Sequence, residues 1–179
     1  RMKNVKVYKI SNGEKSTLTG MNGGDIESPD GSMIVYAAKP DLDAPHTELW
    51  VCDRDLKGHR RVYTVSCMNH NGPSASFVDN DTIVFRDMKD DIPSFILYDV
   101  ERNEEKCRVY GKMGHRVSGE LFPFSVREGQ LGKNGAFPNI DRCGVYMINV
   151  RTGEITFLIS DDEMNDIALS RGYGIKPNT

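Results

Sequence analysis

Four similar tripeptides divide this chain into units of nearly equal length. Met21-Asn22-Gly23, Met68-Asn69-His70, Met113-Gly114-His115 and Met164-Asn165-Asp166 begin 47, 45 and 51 residues apart. A repeat of this size means that one supersecondary unit recurs and buries its apolar surface against the next copy. The segments after the tripeptides repeat as well. Glu27-Ser28-Pro29-Asp30-Gly31 leads into Ser32-Met33-Ile34-Val35-Tyr36-Ala37, and Ser76-Phe77-Val78-Asp79-Asn80-Asp81 leads into Thr82-Ile83-Val84-Phe85. A turn rich in Asp, Asn and Gly that feeds a β-branched run predicts a hairpin. A third strand follows in each unit at Thr47–Cys52, Ser94–Asp99 and Gly144–Asn149. Charged turns come next, and the closing strands are Arg61–Val65, Lys106–Tyr110 and Ile155–Ile159.

Four strands in 40 to 50 residues is the size of a β-propeller blade. The expected fold is therefore all-β, built from blades of four antiparallel strands, with about three and a half blades in the chain. The units fall at 1–20 (a blade end), 21–67, 68–112, 113–163 and 164–179 (the start of another blade). In the first, Val5–Ile10 reads as a third strand and Ser16–Thr19 as a fourth. The unit at 113–163 departs from the pattern: its turn reads as Val126-Arg127-Glu128-Gly129, and its second strand is expected near Leu131 to Ala136, which is glycine-rich and poor strand material. No segment has a sustained 3.6-residue apolar period, and only Asp162 to Leu169 could form a short helix.

The Ser28-Pro29-Asp30-Gly31 turn followed by Met33-Ile34-Val35-Tyr36 resembles the blade signature of TolB-like propellers, relatives of WD-type repeats that usually lack the Trp-Asp pair. The blades also look similar to those of oligogalacturonate lyases. That resemblance implies channel-facing histidines and a divalent transition metal, with His70 and His115 as the residues here that could serve as metal ligands or catalytic groups.

Blade topology converts sequence position into spatial position. Crossovers between blades share one face with the loops between second and third strands. His70 and His115 each stand where an innermost strand is expected to begin, which puts both near the channel on that face. His46 lies in the second-to-third-strand loop of the first full blade; Lys89, Asp90 and Asp91 take the corresponding place in the next, and Lys133-Asn134 in the third. Two imidazoles near one channel could ligate a transition metal, or one could act as a general base. Asp25 is a candidate carboxylate ligand, with Asp166 in the same slot of the last repeat, and Arg116 and Lys112 are the cations placed near the channel. The expected ligand-binding set is thus His46, Asp25, Arg116, Lys89 and Asp91. His59 falls in a third-to-fourth-strand turn on the opposite face and reads as solvated, and Trp50 reads as packing between blades.

The formal net charge of −3 argues against a nucleic-acid partner held by phosphate contacts. No apolar stretch has the length of a membrane span. Cys52, Cys67, Cys107 and Cys143 include no close pair, so a zinc cluster is not expected. Buried free thiols favour a reducing compartment such as the cytoplasm, with a Cys52–Cys67 bridge, and a periplasmic or secreted location, as the alternatives. Closed propellers need about four to eight blades. The missing blades are expected from a longer version of the same chain, or else from a second copy that completes the ring. Three functions compete: a module within a larger carbohydrate- or protein-binding propeller; a metal-dependent lyase or hydrolase acting on acidic oligosaccharides; and a scaffold completed by dimerisation.

Overall fold

The computed structural model describes residues 17–18 (backbone only), 25–41, 43–66, 72–114, 120–135, 137 and 139–173. Within them the chain forms three four-stranded antiparallel sheets, each built from consecutive strands. Sheet A holds β1 (Thr17–Leu18), β2 (Met33–Ala38), β3 (Thr47–Asp53) and β4 (Arg60–Val65). Sheet B holds β5 (Ser76–Phe77), β6 (Thr82–Lys89), β7 (Ile92–Asp99) and β8 (Glu104–Tyr110). Sheet C holds β9 (Lys112–Met113), β10 (Leu121–Val126), β11 (Gly144–Asn149) and β12 (Ile155–Ser160). Strand order resets between Val65 and Ser76 and again between Tyr110 and Lys112, in line with the periodicity of the sequence.

The apolar pattern of each strand follows from what covers it. In sheet B, Ile83, Phe85, Ile96 and Tyr98 pack against Val35, Leu49, Val51 and Val62 of sheet A. The alternate residues Val84, Phe95 and Leu97 pack against Phe122, Phe124, Tyr146 and Ile148 of sheet C. A strand covered on both faces needs apolar side chains at successive positions, and Phe95-Ile96-Leu97-Tyr98 is such a run. In sheet C the pattern alternates: Tyr146 and Ile148 are fully buried, whereas the alternate residues Val145 and Met147 are only half-buried. Aromatic rings cross both junctions, with Tyr63 4.8 Å from Phe85 and Phe95 5.1 Å from Phe124 between ring centres. Pairs at this separation add to plain burial.

Polar groups fix how the sheets are set against one another. Arg108 on β8 donates to Asp87 on β6 (3.1 Å) and to the Tyr63 hydroxyl on β4 (2.8 Å). Ser66, just past β4, donates its backbone N–H (3.0 Å) and its hydroxyl (2.7 Å) to the same Asp87 carboxylate. At the start of the units, the Asp30 carboxylate accepts from the Ser32 backbone and from the Ser28 and Ser32 hydroxyls. The Asp30 N–H in turn donates to Asn80 Oδ1 (3.0 Å) in the equivalent turn of sheet B. Those donors hold the Asp30 carboxyl below the usual carboxylate range, the Ser32 N–H most of all.

Three sequence expectations are corrected. Thr17–Leu18 pairs with Ala37 and Ala38 of β2, so this stretch is the first strand of sheet A and not the last strand of a preceding unit; Val5–Ile10 lies outside the described residues. The second strand of sheet C is Leu121–Val126, paired along its length with β11, and not 131–136. The alternation Phe122, Phe124, Val126 buries one side of that strand, whereas the glycine-rich stretch after it forms a connection opened by a 3₁₀ turn over Glu128–Gln130. The fourth tripeptide does not begin a strand: Met164 lies in helix α1 (Asp161–Ser170). Ser160 and Glu163 cap that helix reciprocally, an arrangement that satisfies the free N–H groups of a first turn. The slot equivalence of Asp25 and Asp166 fails with it.

The long β10–β11 connection is held back onto sheet B. Buried Asn134 accepts from the Tyr110 N–H and donates to the Tyr110 carbonyl, both at 2.8 Å. Replacing Asn134 with Ala removes both bonds and leaves the partly buried Tyr110 main-chain groups without this partner, so Asn134→Ala is expected to cost about 2 kcal/mol in urea unfolding. A loss below about 0.5 kcal/mol would mean that the connection is not anchored there.

Candidate functional site

The antiparallel order decides which loops share a face. β6 runs into the Asp90-Asp91 turn, β7 runs away from it, and β8 returns to the same edge before the crossover into β9. The turn between β6 and β7, the end of β4 and the crossover into sheet C therefore meet on one face. Asp90 and Asp91 both have positive φ (52° and 60°) and form a two-residue hairpin turn that Asp tolerates better than most residues.

On this face lies a cleft of about 300 Å³ between sheets B and C. Arg86, Asp87 and Met88 from β6, Pro93 and Ser94 from β7, and Gly111, Lys112 and Met113 of the crossover and β9 line it, together with Gly72. β6 presents Phe85 and Asp87 toward sheet A and Val84, Arg86 and Met88 toward sheet C, as alternation along a strand requires. Gly111 is required by close packing: a Cβ there would stand 3.0 Å from both the Phe124 ring and the Ser125 carbonyl. Among the described residues the one acid lining the cleft, Asp87, is already neutralised by Arg108 and hydrogen-bonded by Ser66.

Of the residues expected from sequence, His46 is half-buried at the end of the β2–β3 loop, on the same face as the cleft. Lys89 ends β6 and Asp91 sits in the following turn; both are exposed. Asp25 is exposed, and its carbonyl accepts the Phe77 N–H (2.7 Å), which ties sheet A to β5. Neither Lys89, Asp91, His46 nor Asp25 lines the cleft. His70, His115 and Arg116 lie outside the described residues; in sequence His70 stands two positions before Gly72 and His115 two positions after Met113. Among the described residues no three His, Cys, Asp or Glu side chains are grouped to hold a metal. Trp50 does not pack between sheets A and B: with Tyr36 and Cys52 it lies on the other face of sheet A, where its indole donates to Glu48. His59 is engaged by the Tyr36 hydroxyl (2.8 Å) and the Leu56 carbonyl (2.9 Å).

Arg86, Met88 and Pro93 were not singled out from the sequence. The available signal was Arg86 itself, a cation interrupting the apolar run Thr82-Ile83-Val84-Phe85 of a strand covered on both faces.

The arrangement matches known structures. The three sheets are β-propeller blades. The chain is similar to the β-propeller domain of the Trilobed protease from Pyrococcus furiosus, at 12% identity over 74% of this chain and 41% of that one, with a TM-score of 0.52. It is similar to oligogalacturonate lyase from Vibrio parahaemolyticus, at 11% identity over 83% and 42% of the two chains, TM-score 0.52. An oligogalacturonate lyase in complex with manganese gives 13% identity, 84% and 42% coverage, and the same TM-score of 0.52. The chain thus spans about two fifths of the length of these structures. No protein-family model and no curated protein matches it. Among the described residues no helix is long and apolar enough to cross a membrane.

Cys52, Cys107 and Cys143 are free thiols; Cys67 lies outside the described residues. Burial pushes all three up, Cys107 to about 11. A thiol raised on folding lends stability that is complete below its unfolded range and is lost as pH climbs toward the folded value. Cys107 is accordingly expected to resist iodoacetamide at pH 8 in the folded chain and to react on addition of denaturant, as read by peptide mass mapping. Rapid native labelling would contradict this placement.

Proposed function

We propose that this chain is part of a β-propeller that binds a saccharide or protein ligand on the face where its inter-blade crossovers meet. The supporting observation is the cleft between sheets B and C, with apolar walls from Met88, Pro93 and Met113 and polar groups from Arg86 and Lys112. Small-ligand sites have this composition, mostly apolar with a few convergent polar groups. A closed ring needs about four to eight blades, and the remaining ones come from further chain of the same polypeptide in this reading. A second copy closing the ring is the alternative, and light scattering separates them: a monomer at micromolar concentration rules out the dimeric ring.

The likeness of fold to oligogalacturonate lyases, one of them in complex with manganese, favours a second reading. In it the protein is a metal-dependent lyase on acidic oligosaccharides, with a divalent metal near His70 and His115. His70→Ala and His115→Ala would then abolish both manganese binding and formation of unsaturated sugar product.

The binding reading is tested with a panel of acidic and neutral oligosaccharides and short peptides, measured by fluorescence titration. Lys112→Ala is expected to weaken the best ligand by about fivefold, roughly 1 kcal/mol. Lys57→Ala, in the β3–β4 turn on the opposite face, is expected to leave it unchanged. Equal effects of the two variants, or no ligand in the panel, would count against this face.

A further inference from the structure

We infer that the cleft between sheets B and C holds a carboxylate, received by the Arg86 guanidinium with Lys112 as a second cation. The inference rests on the reading of this face as a ligand site and names the chemistry of its occupant. Arg86 Nε is buried and has no hydrogen-bond partner. A buried donor of this kind is costly unless an acceptor reaches it. Neither Arg86 nor Lys112 takes part in any ion pair among the described residues, although eight such pairs involve other side chains. The one acid among the described residues of the cleft wall does not answer them, because the Asp87 carboxylate is held by Arg108 and Ser66 on the side facing sheet A. The uncompensated charge of the cleft is therefore positive, in a chain whose formal net charge is −3.

The walls narrow the class of anion further. Met88, Pro93 and Met113 surround the two cations with apolar surface, which suits a monoanion carried on an apolar body better than a heavily hydrated dianion. A planar carboxylate also matches the fork of a guanidinium. The volume of about 300 Å³ lies at the small end for ligand pockets, enough for a small acid or for one acidic terminus or side chain of a larger partner.

Benzoate, its neutral isostere benzamide, and inorganic phosphate test this by calorimetry on the chain as it stands. Benzoate is expected to bind at least about tenfold more tightly than benzamide, and Arg86→Gln to remove about that factor. Lys112→Gln, on an exposed side chain that does not threaten folding, is expected to weaken benzoate about threefold, with thermal unfolding unchanged. Equal binding of benzoate and benzamide would overturn the carboxylate assignment while leaving a ligand cleft in place. Phosphate binding more tightly than benzoate would overturn it too, as would undetectable benzoate binding or a Lys112→Gln variant that binds as the parent does. Failure of the oligosaccharide and peptide panel alone would instead strike the broader reading.

Discussion

Each sheet of this protein gains its stability from the sheet beside it. A four-stranded sheet with apolar residues on both faces cannot stand in water by itself, and sheet B carries such residues at successive positions through Ile83-Val84-Phe85 and Phe95-Ile96-Leu97-Tyr98. Ile83, Phe85, Ile96 and Tyr98 meet sheet A, and Val84, Phe95 and Leu97 meet sheet C, so the two larger apolar clusters among the described residues are the two junctions. Everything else, including which loops share a face and where a cleft can open, follows from face-to-face packing of sheets that each start anew from the chain.

Apolar packing alone leaves neighbouring sheets free to slide, and the polar contacts remove that freedom. Asp87 sits within β6 but is answered by Ser66 from the preceding crossover and by Arg108 from β8, which also reaches Tyr63 in sheet A. Asn134 does a comparable thing at the other junction by gripping Tyr110. These contacts lie at the edge where the crossovers gather, the same edge that opens into the cleft. Because Asp87 is turned toward sheet A and paired there, Arg86 next to it is left facing sheet C without a counter-charge, and the electrostatics of the cleft follow from strand alternation at two adjacent residues.

Much of this was legible in the sequence because propeller blades repeat. The turn at Ser28–Gly31, the third strands and the closing strands were each visible as a turn signal followed by a β-branched or aromatic run. Sheet C was misread where its signal is weakest: Pro123 lies in the middle of β10, and the run Leu121-Phe122-Pro123-Phe124 looks less like a strand than its pairing shows. The tripeptide at Met164 misled because Met and Asn say nothing of their own about strand or helix, whereas Ser160-Asp161-Asp162-Glu163 is a capping box that starts α1. The histidines drew attention as chemically versatile residues, yet of the cleft residues only Lys112 had been placed near the channel. Arg86 was hidden because its significance depends on having no partner, a property of the folded chain.

The central claim is that successive units stack face to face in the register described. The contact between Tyr63 and Arg108 exists only in that register, since the two residues belong to different sheets and are separated by 45 positions. A double-mutant cycle combining Tyr63→Phe and Arg108→Gln, read by urea unfolding, measures it directly. The account predicts a coupling of about 1 kcal/mol or more, in keeping with a hydrogen bond to a charged, largely buried group. Strict additivity of the two substitutions, within about 0.3 kcal/mol, would contradict the stacking of sheet B on sheet A.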